Sequence, residues 1–131
     1  DLGSKRIGVS ICDERQSIAT PFKTINKTNT NELIIELKII IKDNNIGGII
    51  IGNPVNMDGS LGRSAQSVND VASNISQSID LPVILWDERL STVGAFNLSS
   101  LLDVNVSKRV KTIDQNAAAF ILQGAIDFLN N

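Results

Sequence analysis

Histidine is absent from this sequence, and so is tyrosine. Without an imidazole there is no Ser-His-Asp or Cys-His nucleophilic catalysis, no histidine-built zinc site and no general base of the usual kind. Any acid–base or metal chemistry must run on Asp, Glu and Lys. Cys12 is the single cysteine, which excludes an internal disulfide and a cysteine-built zinc site. Inside an apolar run it reads as a small core residue, and the compartment it suits is the cytoplasm. Long hydrophobic runs are missing too, so nothing reads as a membrane span or a signal peptide. Nor is positive charge in excess: 12 Lys and Arg against 14 Asp and Glu leave a net charge of −2 and a pI near 5.0. Any contact with nucleic acid must therefore be local and sensitive to salt.

What is present fits one globular domain over residues 1–131, long enough for a real core and too short for two ordinary domains. Residues 1–6 look like the end of a strand and a tight turn. Ile7, Val9 and Ile11 alternate with Gly8, Ser10 and Cys12, the period of a strand. After the polar turn Asp13–Gln16, residues 18–25 read as a third strand, which Pro21 makes an edge or a bulged one. Leu33, Ile34, Leu37, Ile40 and Ile41 fall at helical spacing and predict a helix from Thr30 to Asp43, stopped by Asn44-Asn45. Ile49-Ile50-Ile51 between glycines predicts a buried parallel strand.

Residues 53–60 carry Pro54 and Asp58-Gly59 and must be a loop. Ala65, Val68, Ala72, Ile75 and Ile79 then mark a second helix, ended by Asp80 and Pro82. Val83–Asp87 reads as another buried strand, and a third helix is expected from Ser91 or Thr92. Residues 103–111, with Lys108, Arg109 and Lys111, read as a mobile loop. Thr112-x-x-Gln115 matches a capping box opening a last helix, whose inner face would be Ala117, Ala118, Ile121, Leu122, Ala125, Phe128 and Leu129. A meander feeding alternating strands and helices predicts an α/β, RNase H-like architecture. Its mixed five-stranded sheet would join an antiparallel meander to parallel strands, with helices on both faces.

In such a sheet three acidic positions converge: Asp1 on the first strand, Asp87 or Glu88 at the end of the fifth, and Asp114 in the first turn of the last helix. Clustered carboxylates raise one another's pKa unless a cation compensates. Mg²⁺ or Mn²⁺ suits such oxygen ligands. Two such ions about 3.5–4 Å apart can activate water against a phosphodiester and stabilise the leaving oxygen. Each acid also has a simpler reading. Asp114 could be stabilised by the helix dipole alone, by roughly 0.3–1 kcal/mol. Asp87 or Glu88 could pair with Arg89, and Asp1 could belong to a turn.

Four stretches carry a family resemblance. Asp1-Leu2-Gly3-Ser4-Lys5-Arg6-Ile7-Gly8-Val9-Ser10 resembles the opening motif of the YqgF family of pre-16S rRNA nucleases, once called Holliday junction resolvase-like proteins. Gly52-Asn53-Pro54-Val55-Asn56-Met57-Asp58-Gly59-Ser60 resembles its central loop, and Asp87-Glu88-Arg89-Leu90-Ser91-Thr92 its third motif. Asp114 with Ala117 and Ala118, then Ile121-Leu122-Gln123, is similar to its fourth. The resemblance spans essentially the whole chain in the family's order.

It implies an RNase H-like, metal-dependent nuclease that matures the 5′ end of small-subunit ribosomal RNA. The acids and metal ligands would be Asp1, Glu88 and Asp114, with Asp87 in support. Lys5, Arg6, Arg63 and Arg89 become candidates for phosphate contacts, which position a substrate without reading its sequence; for Lys5 and Arg6 a solvated hairpin turn is the alternative. Asp58 would shape its turn with Gly59 or stand behind the ligands. Branched DNA is the alternative substrate, and a catalytically weak RNA-binding assembly module the alternative class. The expected partner is nucleic acid and no membrane, with the chain a monomer or a homodimer. Family members carry several residues before the first Asp. With Asp1 in first place, the expectation is either a segment of a longer chain or a site weakened by an ammonium beside it.

Overall fold

The computed structural model describes residues 1–3, 5–26, 28–53, 63–87 and 106–130, with backbone alone at 63–65 and 106–115. Their order is β1 (Arg6–Cys12), β2 (Ala19–Asn26), α1 (Thr30–Asn44), β3 (Ile49–Asn53), α2 (Arg63–Ser78), β4 (Val83–Asp87) and α3 (Val106–Leu129). β1 and β2 pair antiparallel, and β3 and β4 pair parallel. The result is a mixed α/β fold with both kinds of strand pairing.

The β1–β2 turn is built on one carboxylate. Asp13 accepts from the backbone N–H of Ile18 at 2.9 Å, from that of Ser17 at 2.7 Å and from the Ser17 hydroxyl at 2.9 Å. These donors favour the charged form and lower its pKa to about 2. Gln16 completes the turn at a positive φ of 54°. Along the ladder Val9 faces Lys23 and Ser10 faces Pro21, so Phe22 is an extra residue in β2. That is the bulge expected from Pro21, which has no N–H to give to the ladder.

Asn29 caps α1, its side chain accepting from the Glu32 N–H at 2.8 Å. Asn45 ends it in the left-handed region at φ 54°, its N–H donating to the Ile41 carbonyl. The helix buries Leu33, Ile34 and Ile40. They join Ile7 and Ile25 of the hairpin, Ile51 of β3, and Val68, Ala72 and Ile75 of α2 with the adjoining Ile79 in one core. α3 forms a second layer, packed mainly on β1 and β2 and reaching β3 and β4. Its buried residues are Asn116, Ala117, Ala118, Ile121, Ala125 and Ile126. Mostly small side chains allow close approach: a Cβ added at Gly124 would sit 3.3 Å from Nε1 of Trp86.

Several expectations need correction. Among the described residues four strands form two two-stranded sheets, short of the five expected, and Leu2, where the end of a first strand is expected, makes an isolated bridge to Ile7. α3 begins at Val106, so residues 106–111 are helix rather than loop, and Thr112-x-x-Gln115 lies inside the helix instead of capping it. Val106, Val110, Ile113 and Ala117 recur at intervals of four, three and four residues, and this helical period outweighs the local capping signal. β4 is less buried than its composition suggests, with Ile84 46% and Leu85 38% exposed, because among the described residues it pairs with β3 alone. On α3, Phe128 and Leu129 are exposed and Ile126 takes the inner place. Cys12 is half-buried at the end of β1, its thiol pKa raised by burial and then by Asp13. The third helix expected from Ser91 or Thr92 lies outside the described residues.

Candidate active site

Asp1 is held by a short antiparallel ladder. Its nitrogen donates to the Gly8 carbonyl at 2.9 Å, and its own carbonyl accepts from the Gly8 N–H at 3.0 Å. The Gly3 N–H closes the turn onto the Arg6 carbonyl at 2.9 Å. Gly3 is required there, since a Cβ would lie 2.4 Å from the Arg6 carbonyl oxygen. Successive residues of an extended strand point to opposite faces. Leu2 packs against the α1–α2 core, so Asp1 turns toward the α3 layer together with buried Gly8, its ladder partner.

α3 packs on that layer. Asp114 is its ninth residue, one turn before Ala118 on the stripe that continues through Ile121 and Ala125. It is therefore not in the first turn as expected. A helix dipole acts within the first turn, so the dipole reading of Asp114 falls away. Its side chain lies outside the described residues.

The other acid stands at the end of the parallel pair, where open α/β sheets place their ligands. Asp87 closes β4 in register with Asn53, which closes β3. Neighbours in register share a face, the one Ile51 presents to the core, whereas Trp86 turns to α3 and meets Phe128 edge-on at 5.4 Å. Asn53, expected to open the 53–60 loop, is instead the last residue of β3 and carried no site expectation. Its Oδ1 is buried and, among the described residues, accepts no hydrogen bond. The one available signal was a polar residue directly after a glycine-bounded apolar run.

Lys5 is exposed in the Asp1–Arg6 turn, and Arg6, half-buried, opens β1. These two cations thus stand at the turn between the Asp1–Gly3 segment and β1. Arg63 opens α2, its side chain not described. Asp58, Glu88 and Arg89 lie outside the described residues. Among the described residues no three Asp, Glu or Cys side chains gather as a metal site, and of the three acids carried over by resemblance only Asp1 has a described side chain.

The described residues thus form an α/β domain with Asp87 at the end of β4 and Asp1 paired with Gly8 of β1. The chain belongs to the RuvX family, described as Holliday junction resolvase, which it matches over residues 1–128. It is 98% identical over 131 residues to a protein of Pelagibacter ubique (strain HTCC1062) named "Putative pre-16S rRNA nuclease", covering 100% of this chain and 87% of that one. Proteins of the same name from Cereibacter sphaeroides (strain ATCC 17025 / ATH 2.4.3) and Chelativorans sp. (strain BNC1) are 45% and 46% identical. These matches cover 99% and 98% of this chain and 81% of each relative. Among the described residues no helix is long and apolar enough to cross a membrane.

Proposed function

We propose that this chain is a single-domain nuclease that hydrolyses phosphodiester bonds of precursor 16S ribosomal RNA in the cytoplasm, using Mg²⁺ or Mn²⁺ held by carboxylates. The observation that supports the reading is the backbone pairing of Asp1 with buried Gly8 of β1, the strand on which α3, the helix that bears Asp114, packs. Membership of a resolvase family and the names of its relatives supply the reaction class and the substrate.

The roles follow from position. Asp1, Glu88 and Asp114 are the proposed ligands and catalytic acids. Trp86 faces α3 and Asp87 the opposite side, which sets Asp87 apart from the proposed ligands. Glu88 is carried over as ligand by its place in the family's third motif, with Asp87 and Asp58 as support. The donor chemistry fits a hard cation: carboxylates and no histidine. A bound ion supplies charge for the phosphoryl oxygens and acidifies a water. Lys5, Arg6, Arg63 and Arg89 would hold phosphates. The five-stranded RNase H-like sheet belongs to the same proposal, the Leu2–Ile7 bridge supporting one further strand beside β1.

Cleavage of a precursor RNA during a Mg²⁺ or Mn²⁺ titration tests this, with Glu88→Gln alongside. The variant is expected to keep its thermal stability and lose cleavage; equal rates would sink the assignment. A four-way DNA junction at matched salt tests the second reading, which the family description favours. Junction cleavage without RNA cleavage would transfer the function to branched DNA. RNA binding with no ion-dependent cleavage of either substrate would leave an assembly module.

A further inference from the structure

The outward face of α1 carries a pattern that the nuclease reading does not use. Glu32, Ile35, Ile39 and Lys42 follow at intervals of three, four and three residues and share one stripe. Ile35 is 60% and Ile39 56% exposed, and Glu32 and Lys42 are exposed at the two ends. Large aliphatic side chains on the solvent face of a helix that already buries Leu33, Ile34 and Ile40 on its other side call for a partner. The stripe also has an inverted symmetry. Reflected through Leu37, Ile35 falls on Ile39, Glu36 on Lys38, and Glu32 on Lys42. Apolar residues map onto apolar ones and these four charges onto their opposites, while Asp43 falls on Asn31.

We propose that this stripe is a self-association surface. Two copies of the chain pair their α1 helices antiparallel about a two-fold axis beside Leu37, with Ile35 of each packing on Ile39 of the other. Glu32 of each then lies level with Lys42 of the other. A two-fold interface uses one patch twice and must complement itself; inversion of charge about a central apolar pair is what an antiparallel helix pair needs.

The ion pairs within one copy agree. Glu36 is engaged by Lys23 at 2.7 Å, while among the described residues Lys38 and Lys42 have no carboxylate partner. Glu32 accepts from the Thr28 hydroxyl, which orients its carboxylate without neutralising it. An open depression of about 510 Å³ beside the stripe, lined by Lys23, Glu32, Ile35, Glu36, Ile39 and Ile40, offers room for a facing isoleucine. One face of a 15-residue helix is a small interface, at the low end of specific ones (below about 1,200 Å²), so the association is weak and depends on concentration.

Sedimentation equilibrium of the full chain from roughly 10 μM to 1 mM, where weak associations titrate, should show the mass rising from one chain toward two. Glu32→Lys and Lys42→Glu should each weaken the dimer about tenfold, since each removes two symmetric ion pairs and creates two repulsions. The double swap should restore it, and an equimolar mixture of the two single variants should form a heterodimer. Replacing Ile35 and Ile39 together by Ser should abolish association with helical circular dichroism unchanged. A chain monomeric throughout the range overturns the proposal, whatever other protein may occupy the stripe. So does a dimer indifferent to the serine pair, or one weakened by the charge changes and not recovered on mixing.

Discussion

Gly3→Ala is the substitution that best separates the proposed site from the stability of the fold. The added Cβ would sit 2.4 Å from the Arg6 carbonyl oxygen, and real Cβ atoms essentially never come within 3.0 Å, so the turn must open by at least about 0.6 Å. That movement falls on the Gly3–Arg6 hydrogen bond of 2.9 Å and on the ladder that holds Asp1 against Gly8. Losing one such bond costs about 1 kcal/mol, a fall in Tm of roughly 3–6 °C for a domain of this size. The core of Ile7, Ile25, Ile51 and Ile75 is untouched. Activity should suffer far more than stability. Misplacing a reacting group by about 1 Å costs about a hundredfold, so a displacement near half of that should slow cleavage by about tenfold or more. The assay is single-turnover cleavage of a precursor RNA well below both Tm values, repeated across Mg²⁺ or Mn²⁺ concentrations. A weakened ligand should also raise the ion concentration needed for half-maximal rate. If Gly3→Ala cleaves at the wild-type rate with an unchanged ion requirement, Asp1 is not a ligand that this turn positions.

Ile121→Ala empties a site 2% exposed between α3 and the strands, and should cost about 2–5 kcal/mol in denaturant unfolding; a loss below 1 kcal/mol would mean that α3 is not docked as described. Asp13 concerns pH. Its pKa is lowered to about 2 from an ordinary 3.8, so its contribution to stability is complete above about pH 4 and is lost as pH falls through about 2. Asp13→Asn should lower Tm near neutral pH and flatten its decline between pH 4 and 2, and curves that stay parallel over that window would refute the assignment.

Where one residue's chemistry dominates its surroundings, the sequence was a good guide. Pro21 cannot donate to a ladder, and β2 bulges beside it. Asn45 tolerates a left-handed backbone, and α1 stops there. β4 runs from Val83 to Asp87 as its apolar composition predicts. The misreadings arose where two signals competed or where distant neighbours decide. Thr112 and Gln115 have the chemistry of a cap, but a cap matters only if the helix begins there, and the apolar period reaches back to Val106. Lys108, Arg109 and Lys111 resemble a solvated loop in one dimension and fall within a helix in three. The exposure of Ile84 and Leu85 depends on what lies beside β4, which periodicity does not encode. At the candidate site, Asp87 closes β4 as its sequence suggests, whereas Asp1 lies outside any strand. Asn53 was not legible, because an amide after a strand is ordinary until its oxygen is found buried and, among the described residues, without a donor.

The first and last parts of the chain are tied together by amides as well as by packing. Oε1 of Gln123 accepts from the Ala19 N–H at 2.8 Å, its Nε2 donates to the Ser17 carbonyl at 2.9 Å, and Asn130 donates to the Gln16 carbonyl at 2.9 Å. These links span separations of 104 to 114 residues, so their loop-closure entropy must be met before they stabilise anything. A nascent chain can form the β1–β2 hairpin early, but its packing against α3 must wait until the last helix has been made. With the roles proposed for Asp1 and Asp114, docking of the last helix would complete the site, so that folding and arming would be one event.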